Sequence, residues 1–160
     1  MSDGACGTFG STVVVGGAPA QTLADGCHRF VLTGTNALGL AATLTTTVKA
    51  DSTAPAGAVL TVNGVNATPA GSSSSGTGSN AISAATPFAD TQSGMSENLM
   101  IRSFAPLDGP GCGAFDAGSS LAIATANDAA PGPGCYRYTL SGVNRAGTSA
   151  AVFTVVRVTP

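Results

Sequence analysis

The stretch Gly26-Cys27-His28-Arg29-Phe30-Val31-Leu32-Thr33-Gly34 returns later in the chain as Gly134-Cys135-Tyr136-Arg137-Tyr138-Thr139-Leu140-Ser141-Gly142. The likeness runs on, with Asn36 answering to Asn144, Gly39 to Gly147, Thr46 to Thr154, Val48 to Val156 and Lys49 to Arg157. Each copy is preceded by a second cysteine, Cys6 in the first and Cys112 in the second. Self-similarity at a fixed spacing decides the architecture before local propensities do. An offset of about 108 residues is the size of one β-sandwich domain and far too long for a solenoid unit. The chain therefore reads as part of a tandem array.

The copies are unequal. The second has a long upstream part, residues 56–107, before its cysteine pair, whereas the first reaches Cys6 almost at once. Residues 1–50 thus correspond to the C-terminal half of a repeat, residues 51–55 to a linker, and residues 56–160 to a complete repeat. Half a sandwich cannot bury its apolar face, so a truncated start is the expectation.

Four cysteines in two similarly spaced pairs indicate disulfides formed in an oxidising compartment. Three pairings are open, and the repeat favours Cys6 with Cys27 and Cys112 with Cys135. Zinc fits poorly, because structural zinc sites use close Cys-x2–4-Cys pairs and these cysteines stand far apart. The first five residues show no basic region followed by an apolar core, so they are not a secretion signal. An extracellular or cell-surface location then requires a signal upstream of the truncated start. A charged fraction of 9% is well below the usual quarter, but a mean hydropathy of +0.30 argues against disorder. The net charge of −2 disfavours nucleic-acid partners. No apolar run approaches the length of a membrane span, so no membrane insertion is expected.

The local pattern is that of strands. His28, Phe30 and Leu32, like Tyr136, Tyr138 and Leu140, fall on one side of a period-2 alternation. Asn36-Ala37-Leu38-Gly39 and Asn144-Arg145-Ala146-Gly147 then turn the chain, each glycine suiting the left-handed position of a bulged hairpin. A returning strand is expected over residues 149–158. Further strands are expected over 58–62, 81–88, 97–104 and 119–125, with a tight turn at Asn63-Gly64. Residues 71–80, rich in serine and glycine, read as a mobile loop. Nothing shows sustained helical periodicity.

These elements resemble the bacterial immunoglobulin-like repeats of large secreted or surface-attached, adhesin-like proteins. The resemblance rests on Phe88-Ala89-Asp90-Thr91-Gln92-Ser93-Gly94, Ser103-Phe104-Ala105-Pro106-Leu107, Cys112-Gly113-Ala114-Phe115, the segment from Cys135 to Gly142, and the linker Asp51-Ser52-Thr53-Ala54-Pro55. It implies an all-β, immunoglobulin-like antiparallel β-sandwich: one complete repeat preceded by the C-terminal half of another. Such repeats carry Asp where this chain has Asn36 and Asn144, which weakens any calcium role carried over from relatives.

Catalytic chemistry is hard to place. His28 is the only imidazole and aligns with Tyr136, which reads as one strand aromatic replacing another. The carboxylates Asp3, Asp25, Asp51, Asp90, Glu97, Asp108, Asp116 and Asp128 fall in no recognisable catalytic setting. Asp51 at the junction and Asp90 in a glycine-bearing turn are weak calcium candidates, although aspartate also forms turns on its own account. The serines at 72–75 belong to no nucleophile motif, and Asn66-Ala67-Thr68 is a glycosylation sequon of the kind that arises by accident in bacterial proteins. Arg29 and Arg137 lie opposite the strand aromatics, where solvation is the default.

The sequence thus points to a non-enzymatic spacer or adhesive stalk module with no cofactor. Its partners would be neighbouring repeats, an unidentified host or matrix ligand, or other copies through the truncated half. A carbohydrate-binding module appended to a secreted enzyme and a strand-donating fibre subunit are the alternatives.

Overall fold

The computed structural model describes residues 1–16, 20–129 and 132–160, and among these every regular element is a strand. The first two form a hairpin, β1 (Gly26–Thr35) and β2 (Ala41–Ala50). There follow β3 (Val59–Val62), β4 (Val65–Asn66), β5 (Ser72–Gly76), β6 (Ser79–Thr86) and β7 (Met95–Ala105). After the short pair β8 (Leu107–Asp108) and β9 (Gly111–Cys112) come β10 (Ser119–Leu121) and β11 (Asn127–Ala129). The chain closes with β12 (Gly134–Asn144) and β13 (Ser149–Val158).

The repeat survives as geometry. In the first hairpin Gly26 pairs with Ala50 and Thr35 with Ala41. In the last, Gly134 pairs with Val158 and Val143 with Ser149, the same register one repeat later. Register follows from the turn. Asn36 N–H donates to Leu40 O and Gly39 N–H to Asn36 O, each at 3.0 Å. Asn144 N–H donates to Thr148 O at 2.9 Å and Gly147 N–H to Asn144 O at 3.0 Å. Gly39 and Gly147 sit at φ +79° and +89°, the left-handed position that a bulged hairpin gives to glycine.

Around the second hairpin two sheets share one core. One has the order β10-β7-β12-β13-β5, the other β11-β6-β3-β4. Leu60, Val62 and Ile82 from the smaller sheet meet Met100, Tyr138, Leu140, Val152 and Val156 from the larger. The inward set on β12 and β13 is the one that the period-2 alternation marks, because a half-buried strand sends every second side chain into the core. Among the described residues no such layer covers the first hairpin: Leu32 is 69% exposed, Leu44 72% and Val48 40%. Phe30 is half-buried.

Three expectations need correction. The serine- and glycine-rich residues 71–80 are not a mobile loop, since they supply β5 and the start of β6. Small side chains are what admit this backbone: a Cβ on Gly76 would stand 2.7 Å from both Val156 Cγ1 and Asn80 Oδ1. The larger sheet is not wholly antiparallel, because β5 runs parallel to β13, Ser72 opposite Thr154 and Gly76 opposite Val158. The strand expected over 119–125 stops at Leu121, after which Thr125 N–H bonds Ala122 O and turns the chain.

Candidate functional site

Cys6 is bonded to Cys27 and Cys112 to Cys135, with Cα–Cα distances of 5.8 Å in both. Two contacts repeat beside them. The Arg29 guanidinium lies 4.5 Å from the Phe9 ring centroid, and that of Arg137 lies 4.6 Å from Phe115. The arginines are therefore not merely solvated: each presses its cation against an aromatic face that the disulfide holds in place. The signal was present in the sequence as Cys-Gly-x-Phe, occurring before each strand. His28 Nε2–H donates to Ala24 O at 2.7 Å, and the Tyr136 hydroxyl donates to Gly132 O at 2.9 Å. Both aromatics tie down the backbone four residues earlier.

A dense polar cluster surrounds the Asn144 side chain, between residues 51–53 and the loop before β7. Its Oδ1 accepts the N–H groups of Ala146 and Thr148 at 3.0 and 2.9 Å, which closes the hairpin turn. That leaves Nδ2 pointing the other way, and it donates to Asp90 Oδ2 at 3.0 Å, Thr53 O at 3.1 Å and Asp51 Oδ2 at 3.3 Å. Asp51 Oδ1 accepts from Thr53 N–H and Oδ2 from Ser93 N–H. Asp90 Oδ1 accepts from the N–H groups of Gln92, Ser93 and Gly94 at 2.9, 2.8 and 3.2 Å. The hydrogen bond from Asn144, backed by these backbone donors, holds the Asp90 carboxyl below the usual carboxylate range against the opposing effect of burial.

Asp51 and Asp90, noted separately in the sequence, are thus brought to one point. Two carboxylates and the Thr53 carbonyl converge on an amide –NH2 that fills the place a cation would need. Asn36 repeats the turn, its Oδ1 accepting the N–H groups of Leu38 and Leu40 at 3.0 Å. Among the described residues its Nδ2 grips no carboxylate. No group of three or more His, Cys, Asp or Glu side chains in metal-binding geometry occurs among the described residues.

A second set of contacts reaches the same loop from the start of the chain. Residues 2–5 form a tight two-residue turn, with Asp3 and Gly4 both at positive φ. Its tip docks on the 91–94 loop: Asp3 N–H donates to Thr91 O at 2.8 Å and Gly4 N–H to Gln92 O at 2.7 Å. The fit demands glycine, because a Cβ on Gly4 would lie 2.7 Å from Ser93 O. Lys49 Nζ donates to Gly4 O, and Asp25 accepts from Ser52 N–H and Ser52 Oγ.

The remaining predicted residues are dispersed. Asn66 lies in β4 and accepts from Thr61 Oγ1, while Asp116 accepts from Phe104 N–H. Asp128 belongs to a network that sequence reasoning missed. Arg102 Nη1 donates to both its oxygens at 2.8 and 3.0 Å, and the Tyr138 hydroxyl donates to Oδ2 at 2.6 Å. Asn80 Nδ2 completes the chain, donating to that hydroxyl at 2.8 Å. Burial, followed by the bond to Asp128, pushes the Tyr138 phenol well above its ordinary value. The network joins β6 and β11 of one sheet to β7 and β12 of the other.

No protein-family model, curated protein or solved structure matches this chain.

Proposed function

We propose that the chain is an immunoglobulin-like structural module of an extracellular bacterial protein, non-enzymatic and acting as a spacer or stalk between neighbouring repeats. The observation that carries this reading is the repeat in its geometric form. Hairpin register, turn chemistry, disulfide and arginine–phenylalanine stack all recur, and the two units meet through a short linker clasped by Asn144. The succession β7-β12-β13 in one sheet with β11-β6-β3 in the other corresponds to the C-F-G and E-B-A orders of immunoglobulin-like domains. A mechanical role suits this construction. Long antiparallel ladders resist shear, the disulfides shorten the extensible chain, and the anchored linker limits bending.

Single-molecule stretching of the chain tests the reading. Residues enclosed by Cys112 and Cys135, a sequence separation of 23, stay hidden from extension until the bond is reduced. Reduction should lengthen the unfolded contour by roughly 70–80 Å for that bond, at about 3.4 Å per residue. The second unit should give one discrete unfolding event. Gradual extension without such an event, or a saturable signal on a glycan array, would replace the spacer reading by a ligand-binding one.

A further inference from the structure

Asn63 is the only asparagine of the chain followed by glycine. Asn63 and Gly64 lie at φ +50° and +77°, the two left-handed positions of the turn between β3 and β4. The Asn63 side chain is held at both ends by β6. Its Oδ1 accepts Ala81 N–H at 2.8 Å, and its Nδ2 donates to Asn80 Oδ1 at 3.1 Å. That second bond starts a chain of donors running in one direction. Asn80 is fully buried, and its Nδ2 donates to the Tyr138 hydroxyl at 2.8 Å. The hydroxyl donates in turn to Asp128. Gly64 is exposed, and a Cβ there would meet nothing within 4 Å. β4 is two residues long and stands at the edge of its sheet, where local opening costs little.

We propose that Asn63 is a self-modification site, which the fold holds closed and which local opening of the β3–β4 turn exposes to intramolecular deamidation. The Gly64 nitrogen attacks Asn63 Cγ and the Cγ–Nδ2 bond breaks. The amide leaves as ammonia, taking the proton of Gly64 N–H. Water then adds to either carbonyl of the resulting succinimide. One opening leaves aspartate at position 63; the other leaves isoaspartate, whose side-chain methylene has entered the backbone. Glycine permits the attack because no side chain shields its nitrogen. Ring closure requires the carboxamide to turn towards Gly64 N, and therefore to release Ala81 and Asn80. The product does not fit the old clasp. A carboxylate at position 63 has no N–H for Asn80 Oδ1. Turning the Asn80 amide over would serve that carboxylate, but would set Asn80 Oδ1 against the Tyr138 hydroxyl, whose proton already goes to Asp128. In either orientation a buried acceptor loses its donor, so a change at the turn reaches the network between the sheets. The reaction consumes only water and does not depend on whether the chain serves as a spacer.

The test is to age the intact, disulfide-bonded chain in mildly alkaline water enriched in heavy oxygen, natively and in urea, and to map its peptides by mass spectrometry. Hydrogen exchange of the Ala81 amide is followed alongside. Label should enter at Asn63 ahead of every other asparagine, at a native rate roughly tenfold or more below that in urea. Sub-denaturing urea should speed the modification and Ala81 exchange in proportion, since one opening exposes both. That comparison needs no variant. Asn80→Ala removes the acceptor of Asn63 Nδ2 and should raise the native rate several-fold, with amide signals along β12 reporting that the variant is folded. The modified chain should show displaced Tyr138 signals. Equal rates with and without urea, label entering another asparagine first, or a native rate unrelated to Ala81 exchange would each overturn the proposal. So would a folded Asn80→Ala variant that ages at the native rate, or unmoved Tyr138 signals in the modified chain.

Discussion

Asn144 Nδ2 and Asp90 Oδ2, 54 positions apart in sequence, stand 3.0 Å apart in space. The amide at the turn of the last hairpin also holds the loop before β7, and through Asp51 it holds the segment that follows β2. One side chain therefore couples turn geometry to the placement of the segment around Asp51 and Thr53.

Asn144 and Asn36 should then respond unequally to the same change. Asn144→Ala removes the turn bonds and leaves the buried Asp51 carboxylate without one of its donors, at an expected cost of about 2–4 kcal/mol. Asn36→Ala removes turn bonds alone, in an exposed hairpin, and should cost about 0.5–1 kcal/mol. Denaturant unfolding of the two variants measures the difference. Equal losses would show that the contact with the carboxylates contributes nothing.

How far this was legible in the sequence depends on the kind of interaction. The hairpins at 26–50 and 134–158 could be read because a period-2 pattern and an Asn-x-x-Gly turn are local signals. The disulfide pairing could be read because the repeat broke the tie among three possibilities. β5 could not, since its serines carry no apolar signal and its place is set by the free edge of β13. Asp51 and Asp90 were visible as turn-forming acids, but their meeting at Asn144 depends on three segments that only tertiary folding assembles. The same holds for Arg102, Asp128, Tyr138 and Asn80, whose pairing crosses between the sheets.

Acid should open the junction only late. The Asp90 carboxyl is held below its ordinary value of 3.8 in the folded chain. A lowered folded value means that its contribution is complete above the unfolded value and is lost as pH falls through the folded one. Amide shifts of Gln92, Ser93 and Gly94 should therefore titrate together with a midpoint below 3.8, and Asp90→Asn should abolish that titration. A midpoint at or above 3.8 would contradict the described hydrogen bonds.

Alkali acts through Tyr138 with the opposite sign. Its phenol is raised above the ordinary value of 10.0 by burial and by the bond to Asp128. The neutral hydroxyl stabilises the fold fully below that value, and the stabilisation fades as pH rises from there towards the folded value. Stability measured from pH 9 upward should fall in the native chain, and Tyr138→Phe should flatten that fall. Ionisation of Tyr138 with an ordinary phenol midpoint in the folded protein, read by tyrosinate absorbance against the Tyr138→Phe variant, would show the network to be open to solvent.

The last prediction sets Gly142 against its counterpart Gly34. A Cβ on Gly142 would come 2.7 Å from Phe88 Cβ and 2.9 Å from Met95 Cε, whereas one on Gly34 would meet nothing within 4 Å. Phe88 Cβ is the root of a buried side chain and cannot swing aside, so Gly142→Ala overpacks the core. Its expected cost is about 1–3 kcal/mol. Gly34→Ala adds a methyl group to an open face and reduces the freedom of the unfolded chain, so its effect should be near zero or slightly stabilising. Thermal unfolding of both variants, each followed by signals of its own unit, makes the comparison. A large loss from Gly34→Ala would mean that this face of the first hairpin is covered in solution.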